Sequence, residues 1–293
     1  MYTFLKIFFT IINFYVQHFR FPHRGWKYLR FVLKALHLDN KIYRKKIQNG
    51  IFIFVNASDH IQQHLFWYGY YEKHAIELWQ ALIKKNAVVI DIGANIGYYS
   101  IMASHKATEG HIYSFEPSPV PYRQLVSNIN SGHLHNTKAF PYAISSQHSH
   151  RAFYISGPDN TGMSGFSKPE NFSGKTEIVT TIPLDEWAAS NQIAKIDFIK
   201  MDIEGAEMDA LSGMTFILQQ HRPVLFIEIR ALLLKQFEQT PEDVYHLLYS
   251  YGYTAFEIAQ KMKLKKASIG TEGDSIIFVP GDYNFPSDIV IQQ

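Results

Sequence analysis

Five short apolar runs recur between residues 87 and 228, and four of them stop at a carboxylate. Ala87-Val88-Val89-Ile90 leads into Asp91 and His111–Phe115 into Glu116. Ile196–Met201 leads into Asp202 and Val224–Ile227 into Glu228, while Ala139–Ile144 is the remaining run. Helical stretches separate them. Continuous apolar runs alternating with helices predict a parallel sheet covered on both faces. In such a sheet the carboxyl ends of the strands share one rim, and ligands bind there. Chance could put one acid at a strand end; four on the same rim constrain the fold and the site together. Two later runs, Thr254–Ile258 and Ser275–Val279, predict an antiparallel edge pair.

Composition narrows the function. The chain has 293 residues, 46% of them hydrophobic, which suits one large domain with a smaller appendage. Its formal net charge of +2 argues against a protein built to grip nucleic acid, which needs a basic excess. With no cysteine, disulfides, thiolate catalysis and cysteine-based zinc sites are excluded. That absence fits a reducing cytoplasm. The 14 histidines are scattered, as in His133/His135 and His148/His150, with no HExxH spacing.

The first 21 residues are apolar but carry Thr3, Lys6, Thr10, Asn13, Gln17 and Arg20 at alternating steps of three and four. This polar stripe at helical period interrupts a membrane-spanning run. It predicts an amphipathic helix with a wide apolar face. Arg20, Arg24, Lys27, Arg30 and Lys34 follow, interleaved with Phe21, Trp26, Tyr28 and Leu33. Basic and aromatic residues together suit an anionic membrane surface, so residues 1–37 are a candidate peripheral contact at the inner membrane face. A cap on protein would bury the same face equally well. A strand is expected from Ile51 to Val55, then helix or loop to Glu72, with a domain boundary near residue 75.

The segment Asp91-Ile92-Gly93-Ala94-Asn95-Ile96-Gly97 sits at a predicted strand-to-helix turn. A dinucleotide loop more often reads GxGxxG, because a pyrophosphate wants bare amides and no adjacent anion. Here an acid precedes the loop and only two glycines are spaced within it. S-adenosylmethionine has an ammonium and a sulfonium and no phosphate, so a carboxylate at the mouth of the loop favours it. Glu116, nineteen positions past Gly97, can accept both ribose hydroxyls.

The blocks Asp91–Ser100, Phe115-Glu116-Pro117-Ser118, Ile182–Asp185, Ile199–Glu207 and Pro223–Glu228 resemble, in order, the signature blocks of FkbM-type methyltransferases. The resemblance covers roughly residues 60–280, and "KMDIEGAE" is its most specific part. It implies a doubly wound class I methyltransferase sheet, Rossmann-like and mostly parallel, behind an N-terminal helical extension. On this reading residues 1–75 are the extension and lead-in, and 76–285 the S-adenosylmethionine-binding domain. The resemblance implies S-adenosylmethionine as donor and, in many members, O-methylation of sugars, polysaccharides or natural-product hydroxyls. Asp91, Gly93, Asn95, Gly97, Glu116 and Pro117 become the donor-binding set. Tyr142 and Ala143 lie where the adenine is expected.

Residues 145–182 read as a long functional loop, and the resemblance lays it over donor and acceptor, with Asn160 and Ser164 as substrate contacts. Asp202 is the leading candidate for the base that takes the acceptor proton, with Glu204 beside it and His148 or His150 as outside candidates. Glu207 falls in the first turn of the next helix, where the helix dipole alone explains an acid. Glu228 could touch substrate or, with Asp202, a divalent cation. Two ligands do not make a site, so no metal is assigned. Two other functions keep weight: a catalytically idle, membrane-associated glycan-binding or assembly subunit, and a nicotinamide-dependent oxidoreductase, which would need a pyrophosphate loop.

Overall fold

The computed structural model describes Lys34 and residues 41–157, 161–169 and 172–292. The expected amphipathic helix and the candidate contact Asn160 therefore lie outside the described residues. Among the described residues, no helix is long and apolar enough to cross a membrane.

The described residues divide into two compact units, one running up to Glu72 with part of 157–162, the other holding Lys73–Ser156 and the chain from Met163 onward. In the first, β1 (Ile42–Lys46) and β2 (Phe52–Asn56) pair antiparallel around the Asn49-Gly50 turn. The helix His60–Tyr68 follows, its start capped by the Asp59 carboxylate, which accepts from the Gln62 N–H.

The second unit carries the sheet. Its strands are β3 (Val88–Ile92), β4 (His111–Phe115), β5 (Thr137–Phe140), β6 (Tyr142–Ile144), β7 (Ser149–Ile155), β8 (Lys175–Ile182), β9 (Phe198–Met201), β10 (Val224–Ile229), β11 (Tyr253–Gln260), β12 (Lys263–Lys266), β13 (Gly273–Pro280) and β14 (Val290–Gln292). Nine of them form one sheet in the order β14-β12-β11-β13-β10-β9-β3-β4-β5. From β10 to β5 every pairing is parallel. The order reverses between β3 and β9, which opens the crevice at their carboxyl ends. Then β13 inserts antiparallel between β10 and β11. This is the parallel sheet that the alternating runs predict, in the doubly wound class I methyltransferase arrangement that the resemblance implies. Buried Ile90, Ile92, Ile199, Met201, Leu225 and Ile227 supply its core. On its other side Trp79 from the helix Lys73–Leu82 meets Phe198 and Phe226 edge-on.

Two expectations are corrected. The antiparallel pair β11–β13 forms, but it is not the edge of the sheet: β12 pairs with β11, and β14 with β12. The run Ala139–Ile144 is not one strand. Pro141 lacks an N–H and interrupts the ladder, so β5 stays beside β4 while β6 leaves for a second sheet ordered β6-β8-β7. The stretch 145–182 is accordingly no plain loop. Its β-branched segment Thr176–Ile182, within β8, helps it pair with β7 over seven residues.

That second sheet is tied down by one carboxylate. Asp209, in the helix Glu207–Ser212, accepts from the Ser145 hydroxyl at 2.7 Å, the Ser146 hydroxyl at 2.6 Å and the Arg151 guanidinium at 2.6 Å. These donors hold the Asp209 carboxyl below the ordinary carboxylate value although its partial burial pushes the other way.

Candidate active site

The glycine loop forms where β3 gives way to the helix Tyr98–Ser104. Its backbone is left-handed at alternate positions, with φ of 77° at Gly93, 50° at Asn95 and 89° at Gly97. Glycine and asparagine are the residues that adopt this region readily. Gly93 is also forced by space, since a Cβ there would lie 1.9 Å from the Asp202 carbonyl oxygen. The loop and the tip of β9 therefore touch backbone to backbone. The Gly93 and Ala94 N–H groups both donate to the Phe115 carbonyl, which fixes the loop over β4.

Glu116 follows β4 and is buried. One oxygen accepts from the Asn95 N–H and the other from the Ser118 N–H, each at 2.8 Å. Each keeps lone-pair capacity for a ligand hydroxyl. Pro117 beside it is half-buried. Asp91 is deeper, 2% exposed, and accepts a short hydrogen bond from the Ser100 hydroxyl, which also contacts the Ser114 hydroxyl. Burial pushes the Asp91 carboxyl up to about 6, against the pull of Ser100 and Lys200, and pushes Glu116 up to about 7.

Across the crevice, Asp202 directly follows β9 and is 35% exposed. The chain then turns through two left-handed residues, Glu204 at φ 57° and Gly205 at φ 100°. Glu207 holds that turn: its buried carboxylate accepts from the Gly205 and Ile203 N–H groups at 3.2 and 3.3 Å. Its role in the structure is thus to shape the turn as well as to begin a helix. Asp202, Glu204 and Glu228 each offer an oxygen, and the three oxygens lie within 4.8 Å of one another. Such spacing accommodates a cation or a shared proton equally. Burial, then the Asp202 charge, raises the Glu204 carboxyl to about 8 and pushes Glu228 the same way.

Sequence reasoning missed the cation in this cluster. Lys200, on β9, has a side chain only 3% exposed, with its Nζ 3.4 Å from an Asp202 oxygen. The signal was present, because an ionisable residue inside a fully apolar run must find a buried partner. Arg230, just past β10, lies 3.7 Å from Glu228 and also pairs with Asp274.

The remaining candidates sit around this centre. Tyr142 and Ala143 lie on β6, and Ala143 is buried. Ser164 uses its hydroxyl to accept from the Ser156 N–H at 3.0 Å, which closes the neck of the stretch between β7 and β8. The next residue, Gly165, returns to the acid cluster, where an added Cβ would sit 3.4 Å from Glu204 Cβ. His148 pairs with Glu186 at 2.8 Å, both of them exposed, and His150 contacts Thr180 at 3.3 Å.

Several carboxyls in one crevice are neutral well above the ordinary range, and this fixes a pH response. Below about pH 4 these acids are protonated in folded and unfolded chains alike. Above it the unfolded chain releases protons that the folded chain keeps, so stability drains as pH rises through about 6, 7 and 8. The ligand-free protein is expected to melt higher near pH 5 than near pH 8.5, and Glu204→Gln to flatten the difference. A melting temperature that climbs across this range would contradict the burial assigned to these groups.

The residues 91–255 match the methyltransferase FkbM domain. Over 177 residues the chain is 29% identical to the hexuronic acid methyltransferase AglP of Haloferax volcanii, covering 60% of this chain and 67% of AglP. Over 146 residues it is 29% identical to the 2-O-methyltransferase NoeI of Sinorhizobium fredii, covering 45% of this chain and 59% of NoeI. It is 26% identical to the 31-O-demethyl-FK506 methyltransferase FkbM of Streptomyces tacrolimicus over 204 residues, 58% of this chain and 74% of that one. Among solved structures, FkbM from Methylobacillus flagellatus aligns with a TM-score of 0.45 at 16% identity, covering 67% of this chain and 44% of its own. The matched domain takes in the glycine loop, Glu116, the Asp202 turn and Glu228, and the chain belongs to the FkbM methyltransferase family.

Proposed function

We propose that this protein moves the methyl group of S-adenosylmethionine onto a hydroxyl oxygen of a sugar or glycan, with a hexuronic acid as the first acceptor to test. The observation that carries this reading is the convergence, at the β3/β9 crevice, of a left-handed loop, a buried acid suited to a diol and an acid cluster.

The residues fit the donor. Among the described residues, Asn95 Oδ1 and Ser118 Oγ are buried with no hydrogen-bond partner, as is Glu228 Oε2 on the other side of the crevice. Orphaned polar atoms of this kind call for a polar ligand. Asp91, Gly93, Asn95 and Gly97 would hold the amino-acid end, Glu116 with Pro117 the ribose, and Tyr142 with Ala143 the adenine. The donor, once bound, supplies an electrophilic methyl group. The chain must then bring an acceptor oxygen to roughly 3 Å and remove its proton. Asp202, partly exposed at the tip of β9, would take the proton. Glu204 and Glu228, neutral to higher pH, can donate hydrogen bonds to sugar oxygens, and Ser164 would add to the acceptor side; Asn160, expected there from the sequence, lies outside the described residues. Arg230 offers charge to an acidic sugar. The names of AglP and NoeI support a sugar acceptor. Peripheral membrane contact through residues 1–37 belongs to the same proposal, supported by the basic and aromatic pattern there.

Incubation with labelled donor and with hexuronic-acid or neutral oligosaccharides, followed by mass analysis, is the test. Methyl incorporation into neither class would sink the acceptor assignment. Donor binding is separable from it. Glu116→Ala is expected to weaken S-adenosylmethionine binding by roughly ten- to a hundredfold, since hydrogen bonds to a charged group are worth about 1.5–3 kcal/mol each. Unchanged affinity by calorimetry on folded protein would remove Glu116 from the donor site.

A further inference from the structure

We propose that Lys200 is a positioning residue of the reaction, its buried ammonium aiming the Asp202 carboxylate into the crevice and holding it as an anion. The inference rests on the reading of Asp202 as the base.

Three observations carry it. Lys200 lies in register with Asp91 on one neighbouring strand and Phe226 on the other, and Asp91 is itself in register with Ser114. Residues in register point to the same face, so a polar row, Ser114-Asp91-Lys200, crosses the floor of the sheet. All three are buried, as is Ser100, which contacts both Asp91 and Ser114. The Lys200 side chain then has one defined course: its Nζ stands 5.1 Å from the centre of the Tyr99 ring and 3.4 Å from Asp202 Oδ2. A cation held by a ring face beneath and an acid above is fixed in direction.

The surroundings make a cation necessary. The acids that bear on Asp202 are Asp91 on β3, Glu116 after β4, Glu204 and Glu207 in and after the turn, and Glu228 on β10, while Arg230 bears on Glu204 and Glu228. All five groups that bear on Asp202 are thus acids. Carboxylates this close cannot all ionise, and without a compensating charge a proton would be shared among them. A base sharing a proton cannot accept one. Lys200 breaks the tie in favour of the acid it touches, and leaves Glu204 and Glu228 as the ones that stay neutral.

The test needs no acceptor. Carbon-13 carboxyl-labelled aspartate is followed by NMR through a pH titration of the full chain, with Asp202→Asn assigning the Asp202 signal. In Lys200→Met the Asp202 midpoint is expected to rise by about one unit or more. In Lys200→Arg, which keeps the charge, it should stay nearer the original. An Asp202 midpoint unmoved in Lys200→Met would overturn the proposal. If Lys200→Met does not fold, Lys200→Gln, which keeps an N–H donor but no charge, must show the same rise or the proposal falls. Where methyl transfer to a hexuronic-acid oligosaccharide is measurable, Lys200→Met should lose about ten- to a hundredfold in kcat. The Lys200→Met/Asp202→Asn double variant should be no slower than Asp202→Asn, because one residue acts through the other. Losses that multiply would assign Lys200 a separate role. Absence of transfer by the unaltered protein would count against the acceptor alone and leave the titration to decide.

Discussion

Asp202→Asn is expected to lower turnover by about 10²- to 10⁴-fold, the range that general-base assistance contributes, while donor affinity stays within a few-fold. The substitution keeps the shape of the side chain and its seat after β9, and it removes basicity. The fold should tolerate it, because Asp202 is partly exposed, the asparagine carbonyl can still accept from the Lys200 ammonium, and the backbone N–H and carbonyl of residue 202 keep β9 against β3 and the glycine loop. A loss confined to kcat would mean an interaction made in the transition state. Single-turnover methyl transfer from labelled donor measures it. Turnover within a few-fold of the unaltered enzyme would make Asp202 structural and turn attention to Glu204, which lies in the same cluster.

Gly93→Ala should be the most damaging single methyl group that can be added to this chain's site. The new Cβ meets the Asp202 carbonyl oxygen at 1.9 Å and the Ile203 side chain at 3.0 Å, and the backbone at φ 77° disfavours any L side chain. Neither neighbour is a flexible chain end. Relief requires β3 and β9 to separate at the point where the sheet order reverses. Overpacking against backbone and left-handed strain together should cost more than about 3 kcal/mol, a drop in melting temperature on the order of 10 °C for a domain this size. Donor binding should vanish with it. Scanning calorimetry with and without S-adenosylmethionine checks both. A variant that melts normally and still binds donor would show that the loop and the β9 tip are not in contact.

The central sheet was legible because its strands are buried on both faces and so read as unbroken apolar runs. The rim was legible because an acid stops each of four runs. What escaped notice did so for physical reasons. Pro141 is one residue in an apolar stretch, and its missing N–H matters only once a ladder exists. The strands β7 and β8 are half-exposed, so Lys175–Ile182 alternates too weakly to stand out from loop. Lys200 hides in an apolar run because its partner, Asp202, lies two residues on, where the chain has already left the strand. Asn95 was named as a contact, but its left-handed backbone could be inferred only from the Gly-Ala-Asn-Ile-Gly alternation seen in three dimensions.

The break at Pro141 has an evolutionary consequence. The second sheet leaves the first at Pro141, shares its core through Ile144 and Ile182, and is fastened again by the side chain of Asp209. The segment between those two core residues can lengthen, shorten or be exchanged without disturbing the ladders of the larger sheet. Tyr142 and Ala143, proposed for the adenine, lie outside that segment, so under the proposed function the acceptor side can diverge while the donor side stays fixed. A graft of residues 146–181 between relatives should transplant cleanly when the recipient has an acid at the position of Asp209, and should hang loose when it does not.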